Sequence, residues 1–225
     1  MSLTQLLGIH KGVTSVIGSG GKTSLLAALS RELAAFGSSV VLTTTTHILP
    51  FDGCPLVTDV DGEKVAAALG EGRVICVGSP CEAGKLAVPG ISMEELAGLA
   101  DYVLVEADGS RRLPLKAHAA FEPVVPGCSG QTIAVVGASG FGRPIAEVVH
   151  RPEVFCGFLG CSAGDLATPR RVAQVLLAEG LGNKVLVNQV DAPRDWEAAE
   201  LLASFMDVSV VAGSLRAPGS FRTLG

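Results

Sequence analysis

Aromatic side chains are scarce in this chain: one Trp, one Tyr and eight Phe among 225 residues. So few rings argue against the stacking platforms on which single-stranded nucleic acid is held. Basic runs are missing too. Lys and Arg number 17 against 22 Asp and Glu, a formal net charge of −5, and that balance argues against DNA or RNA as a partner. No apolar run reaches the length of a membrane span, so no membrane partner is expected. Residues 1–11 do not read as a signal peptide, and the expected compartment is the cytoplasm. The six cysteines form no C-x-x-C pair. Cys76/Cys81 and Cys156/Cys161 each enclose four residues, a poor zinc spacing. Reduced thiols are expected, some buried as small hydrophobes, with Cys81 and Cys128 in loops as the candidates for reactivity.

Apolar residues make up 48% of the chain, enough for a sizeable core in one domain spanning 1–225. The periodicity predicts strands over 13–17, 39–45, 73–77, 102–106, 131–137, 184–188 and 208–212. Between them it predicts helices over 22–36, 61–69, 92–99, 168–179 and 194–205. Ser92 with Glu95 has the form of a capping box, and Pro169 sits early in its helix. The strands are continuous apolar runs, which implies an α/β domain with a mostly parallel sheet and helices on both faces. Residues 80–90 and 110–129 are less regular and read as excursions over the active face.

The segment from Val13 to Leu26 is a strand, a glycine turn, a Lys-Thr pair and a helix. That is the order of a phosphate-binding P-loop. Gly18, Gly20 and Gly21 let the backbone curl around a polyphosphate. Ser19, Ser24 and the helix N-terminus turn N–H groups toward its charge. Lys22 falls where a cation meets the β- and γ-phosphates, and Thr23 where a hydroxyl meets Mg²⁺. The full pattern G-x-x-x-x-G-K-[ST] would put glycine at 16, where this chain has Val16. The shorter G-x-x-G-K-T spacing resembles the loop of peptidoglycan-type amide ligases. A plain glycine-rich β-to-α turn is the rival reading. It does not explain why strand, turn, Lys-Thr and helix fall in register.

In a parallel sheet the ligand lies at the carboxyl ends of the strands. One strand ends in Thr43-Thr44-Thr45-Thr46-His47, hydroxyls and an imidazole that would ligate Mg²⁺ or orient an attacking group, or merely fill a strand and its turn. Another runs Tyr102-Val103-Leu104-Val105 into Glu106-Ala107-Asp108. An apolar strand ending in a carboxylate is a Walker-B arrangement, and Glu106 and Asp108 share one side if the strand persists. Arg111 and Arg112 then stand where an arginine finger would stabilise transferred charge, or simply form a solvated loop. The strand ending Asn188-Gln189-Val190-Asp191 resembles the N-K-x-D signature that reads guanine, with Gln189 in place of its lysine. At His150-Arg151-Pro152-Glu153, a substrate contact competes with a helix boundary at Pro152.

Together with Leu113-Pro114-Leu115-Lys116-Ala117 and Glu122-Pro123-Val124-Val125-Pro126, these motifs resemble the YqeC family across most of the chain. That family is described as selenium-cofactor biosynthesis or selenium-dependent hydroxylase accessory proteins. The resemblance implies a role in maturing a selenium or molybdenum cofactor, with a molybdenum hydroxylase or a cofactor-insertion protein as partner. Family members carry Asn-Lys-x-Asp where Gln189 departs here. The combined expectation is a P-loop NTPase-like protein that binds ATP or GTP with Mg²⁺. Gly18 to Ser24, Asn188 and Asp191 would hold the nucleotide. Thr23 with Glu106 or Asp108 would hold the metal, and Lys22, Glu106, Asp108 and Arg111 would carry nucleotide hydrolysis or phosphoryl transfer. Two other readings stay open: a nucleotide-gated scaffold with slow turnover, and an ATP-dependent ligase or kinase acting on a small acid.

Overall fold

The structure, a computed structural model, describes residues 1–58, 61–217 and 219–225. Its centre is a nine-stranded sheet. The strands are β1 (Gly12–Gly18), β2 (Val40–Thr44), β3 (Leu56–Val57), β4 (Val74–Val77), β5 (Tyr102–Glu106), β6 (Ser129–Gly137), β7 (Lys184–Asn188), β8 (Val210–Ala212) and β9 (Arg222–Leu224). Their order across the sheet is β9-β8-β7-β6-β1-β5-β2-β4-β3. Neighbours pair in parallel except β9, which runs antiparallel to β8. The P-loop strand β1 therefore sits at the middle, with β5 on one side and β6 on the other.

Side chains alternate across each strand, and the alternation sorts the core into layers. Val16, Leu42, Leu104, Ile133 and Leu186 point to one face. There they meet α1 (Leu3–Leu7) and α2 (Lys22–Ala35) through Leu3, Leu7, Leu25 and Leu29. On the other face, Val41, Ile75, Val103 and Val105 meet α3 (Gly62–Glu71) and α4 (Met93–Leu99) through Val65 and Leu96. Farther along that face, Ile17, Ala134, Val136, Val185 and Val187 lie under four more helices, α5 (Ile145–Val148), α6 (Pro152–Leu159), α7 (Pro169–Glu179) and α8 (Pro193–Ala203). Burial on both faces is why the strand sequences read as continuous apolar runs. This is the α/β, P-loop NTPase-like arrangement that the sequence predicts.

Local signals act where they were expected. The Ser92 hydroxyl accepts from the Glu95 N–H while the Glu95 carboxylate accepts from the Ser92 N–H, closing the capping box of α4. Thr168 caps α7 by accepting from the Arg171 N–H. Helix α6 begins at Pro152, the boundary that its imino ring favours. Five elements of the sheet and its covering helices were not expected: α1, α5, α6 beyond its boundary at Pro152, the short strand β3, and the antiparallel edge strand β9. The stretch 80–90 is a small hairpin in which Ser79–Pro80 pairs with Leu86–Ala87. The stretch 110–129 crosses the carboxyl edge of the sheet, where Leu115–Lys116 pairs with Val149–His150. Among the described residues, no helix is long and apolar enough to cross a membrane.

Candidate functional site

The loop after β1 closes on backbone conformations that few side chains permit. Gly20 has φ +93°, and a Cβ there would lie 2.4 Å from the Gly137 nitrogen. Gly21 has φ +129°, and its Cβ would meet Asn188 Nδ2 at 2.4 Å. Glycine is demanded twice over, by φ and by space. The Asn188 side chain braces the turn: Nδ2 donates to the Gly20 carbonyl at 2.7 Å and Oδ1 accepts from the Leu215 N–H at 3.0 Å. Ser19 is buried and its hydroxyl donates to the Leu113 carbonyl.

Register brings β5 to the loop. Glu106 pairs with Val16, two residues before the turn. Its Oε2 accepts from the Thr23 hydroxyl at 2.8 Å. Lys22 is buried against the same corner. Its ammonium donates to the Gly18 carbonyl at 2.7 Å and to the Ser110 hydroxyl at 3.0 Å, and lies 3.0 Å from Asp108 Oδ1 and 4.0 Å from Glu106 Oε1. Both carboxylates thus face Lys22, as period-two alternation requires. Their surroundings differ. Burial raises the pKa of Glu106, and the Lys22 charge and Thr23 hydrogen bond offset this in part. Burial also pushes the Asp108 carboxyl up, but the His118 hydrogen bond and the charges of Lys22 and Lys116 prevail and hold it at about 2.

Asp108 is the hub of a buried ionic chain that sequence reasoning missed. Its Oδ2 accepts from the Gly18 N–H at 2.8 Å, and lies 3.2 Å from Lys116 Nζ and 2.7 Å from His118 Nε2. His118 Nδ1 reaches Glu179 Oε2, at the end of α7, at 2.9 Å. Lys116 continues the chain to Glu122 at 2.9 Å, and Glu122 pairs with Arg151. The signal for His118 was the alternation of Lys116 and His118 about buried Ala117, which puts both on one side. Nothing local marked Glu179, 61 residues away.

Burial disfavours charge on His118, yet hydrogen bonds to Asp108 and Glu179 outweigh it and raise its pKa above the ordinary 6.5. The sign of the pH effect follows. A raised histidine pKa stabilises the fold fully below 6.5, and that contribution is lost as pH rises through the raised value. The depressed Asp108 contributes above 3.8 and loses its contribution as pH falls toward 2. Urea midpoints measured across pH should decline on the alkaline side, and His118→Gln should flatten that decline. Glu106, also raised, loses its own contribution from 4.5 upward, which leaves the difference between the two proteins as the His118 part.

A cleft of about 850 Å³ opens over this corner. Gly20 to Ser24, Glu106, Arg111, Thr46 and His47 line it, whereas Asp108 does not. Four residues in its wall hold positive φ without being glycine: Arg111 (47°), Arg112 (61°), Arg151 (68°) and Gln189 (64°). Such backbone outliers concentrate at functional sites. Of the threonine run, Thr44 donates to the Glu106 carbonyl and Thr45 to the Val124 carbonyl, so these two hydroxyls fasten loops. Asp191 lies exposed outside the cleft's lining and accepts from the Ser214 hydroxyl at 2.6 Å. All six thiols are free. Burial lifts Cys54 to about 12 and Cys76 to about 11, and burial with Glu94 raises Cys128, so these three are not activated nucleophiles.

The model of the YqeC protein family matches residues 14–153 of this chain. That span holds the loop, the Glu106 corner and the ionic chain out to Arg151, and ends before Glu179 and Asn188. A protein of Escherichia coli (strain K12) named "Uncharacterized protein YqeC" is 39% identical over 156 residues, which are 66% of this chain and 60% of that protein. A family model that covers more than half the sequence settles kinship: the chain belongs to the YqeC family.

Proposed function

We propose that the chain binds a Mg²⁺-nucleotide in this cleft and hydrolyses it, or transfers its terminal phosphoryl group, in the cytoplasm during maturation of a selenium-dependent molybdenum hydroxylase or its cofactor. The observation that carries the reading is the Thr23 hydroxyl 2.8 Å from Glu106, with the Lys22 ammonium anchored beside them. These are the parts of a P-loop and its acidic partner strand brought to one point. Glu106 and Thr23 offer hard oxygen donors, which suit Mg²⁺. That ion commonly takes one or two protein oxygens and completes its shell with phosphate and water. Bound there, the metal would supply charge for the β- and γ-oxygens. The raised Glu106 pKa fits a carboxylate whose cation is the ligand's.

The chain's own residues would do the rest. Lys22 would trade the Ser110 hydroxyl for a phosphate oxygen, and the N–H groups of Gly20 to Ser24 would line the anion. Asp108 fits a positioning role: it fixes the Gly18 N–H and the Lys22 side chain from beneath. Arg111 faces the cleft where it would meet transferred charge. The base stays open between ATP and GTP, because the exposed Asp191 is already engaged by Ser214 and, at 3.9 Å, Arg216. A thermal-shift panel of ATP, GTP, ADP and GDP with Mg²⁺ tests the proposal. At saturating ligand the melting temperature should rise by roughly 5–10 °C for the preferred base. No shift with any of the four would overturn it.

A further inference from the structure

The cleft carries cations that its own carboxylates do not neutralise. Its walls carry Lys22, Lys85, Arg111, Arg112 and Arg151 against two carboxylates, Glu106 and Glu122. Both carboxylates are already paired, Glu106 with Thr23 and Lys22, and Glu122 with Lys116 and Arg151. Among the described residues, Lys85, Arg111 and Arg112 have no ionic partner. Uncompensated cations that converge on one cavity are a binding site for an anion.

Strand order separates these cations from the side of the P-loop that carries Asn188 and Asp191, the nucleotide-binding candidates. Asn188 closes β7, on the β6 side of the P-loop strand. Arg111 and Arg112 follow β5, on the opposite side. Lys85 lies farther out: Ile48, just after β2, bridges to Leu86. Two strand spacings make a lateral offset of about 10 Å from the P-loop. That is room for another molecule beyond the terminal phosphate. The field is felt by His150 in the same wall, whose pKa is lowered by burial and then by Lys116, Arg151 and Arg111. Arg111 and Arg112 line the cavity from left-handed backbone, which is costly for a residue that carries a Cβ.

We infer that this half of the cleft, walled by Lys85, Arg111 and Arg112, binds a second small molecule bearing an oxyanion, a carboxylate or a phosphate. The inference rests on the nucleotide reading for its partner, since the oxyanion would face the nucleotide's terminal phosphate. It makes the protein a two-substrate enzyme rather than a bare nucleotide switch.

The test uses the full chain saturated with Mg²⁺-ADP, so that the P-loop is filled. Inorganic phosphate and malonate are titrated separately by calorimetry. One binding event should appear, and the tighter of the two anions identifies the head group. Lys85→Ala and Arg112→Ala, combined, should weaken that event by about tenfold or more, the loss of charge-assisted hydrogen bonds, and should weaken ADP binding far less. No anion binding to the ADP-saturated chain, or equal affinity in the double variant, overturns the inference. If Mg²⁺-ADP itself does not bind, the nucleotide reading fails instead. The titration is then run on the Lys22→Ala chain without nucleotide, where dependence on Lys85 and Arg112 upholds the anion site and independence refutes it.

Discussion

Lys22→Ala should lower affinity for Mg²⁺-nucleotide by about a hundredfold, the loss of roughly 3 kcal/mol in charge-assisted contacts, while the fold survives. Survival is the less obvious half, because Lys22 is buried beside Asp108. Truncating one member of a buried ion pair ordinarily destabilises strongly. Here Asp108 keeps Lys116 at 3.2 Å, His118 at 2.7 Å and the Gly18 N–H at 2.8 Å. Asp108 Oδ1, the oxygen near Lys22, makes no aligned hydrogen bond that would be lost. Lys22 is therefore free to turn to a ligand without leaving Asp108 unpaired, and Glu106 keeps the Thr23 hydroxyl. Calorimetry with Mg²⁺-ADP, beside circular dichroism of the variant, checks both halves. Wild-type affinity in a folded variant would end the P-loop assignment.

Asp108→Ala should do the reverse and strike stability first. It removes the single anion shared by Lys22, Lys116 and His118. Lys116 would keep Glu122 and His118 would keep Glu179, but the cations would then confront one another inside the protein. The expected cost is about 3–5 kcal/mol, the range for breaking a buried pair from one side. For a chain of this size that corresponds to a melting temperature lower by roughly 10 °C. Urea unfolding at pH 7 gives the value. A change below about 1 kcal/mol, ordinary for a surface substitution, would show that Asp108 is no hub.

The contrast between these two residues explains what the sequence disclosed and what it withheld. Lys22, Thr23 and Glu106 were legible because each is specified within a few residues: a glycine turn running into a helix, an apolar strand ending in acid. The helices capped by Ser92 and Thr168 were legible for the same reason, and at Pro152 the boundary was, though not the helix that follows, since caps and imino rings act over one turn. Asp108 was found for its spacing from Glu106, yet its surroundings were not foreseeable. Its partners Lys116 and His118 lie on a two-residue strand and the residues after it, too short for a period to show. Glu179 comes from the last turn of α7, whose exposed polar residues give no sign that its final carboxylate turns inward. The edge strand β9 was missed because three residues carry no alternation worth reading. Helix α1 had a signal, the Ser2 and Gln5 capping box, on a segment too short to weigh.

The central place of β1 has a consequence for how the protein is made. The glycine loop leaves the ribosome before the strands that flank it, which end at Glu106 and Gly137, and the carboxylate that pins Gly18 lies 90 residues downstream. While synthesis proceeds, β1 has no neighbour on its β6 side until residue 129 has emerged. A growing chain holds every residue of the glycine loop long before it holds the loop's shape. On the proposed function, nucleotide affinity is acquired together with the sheet, so that a chain cut short before β6 would carry the motif without the grip.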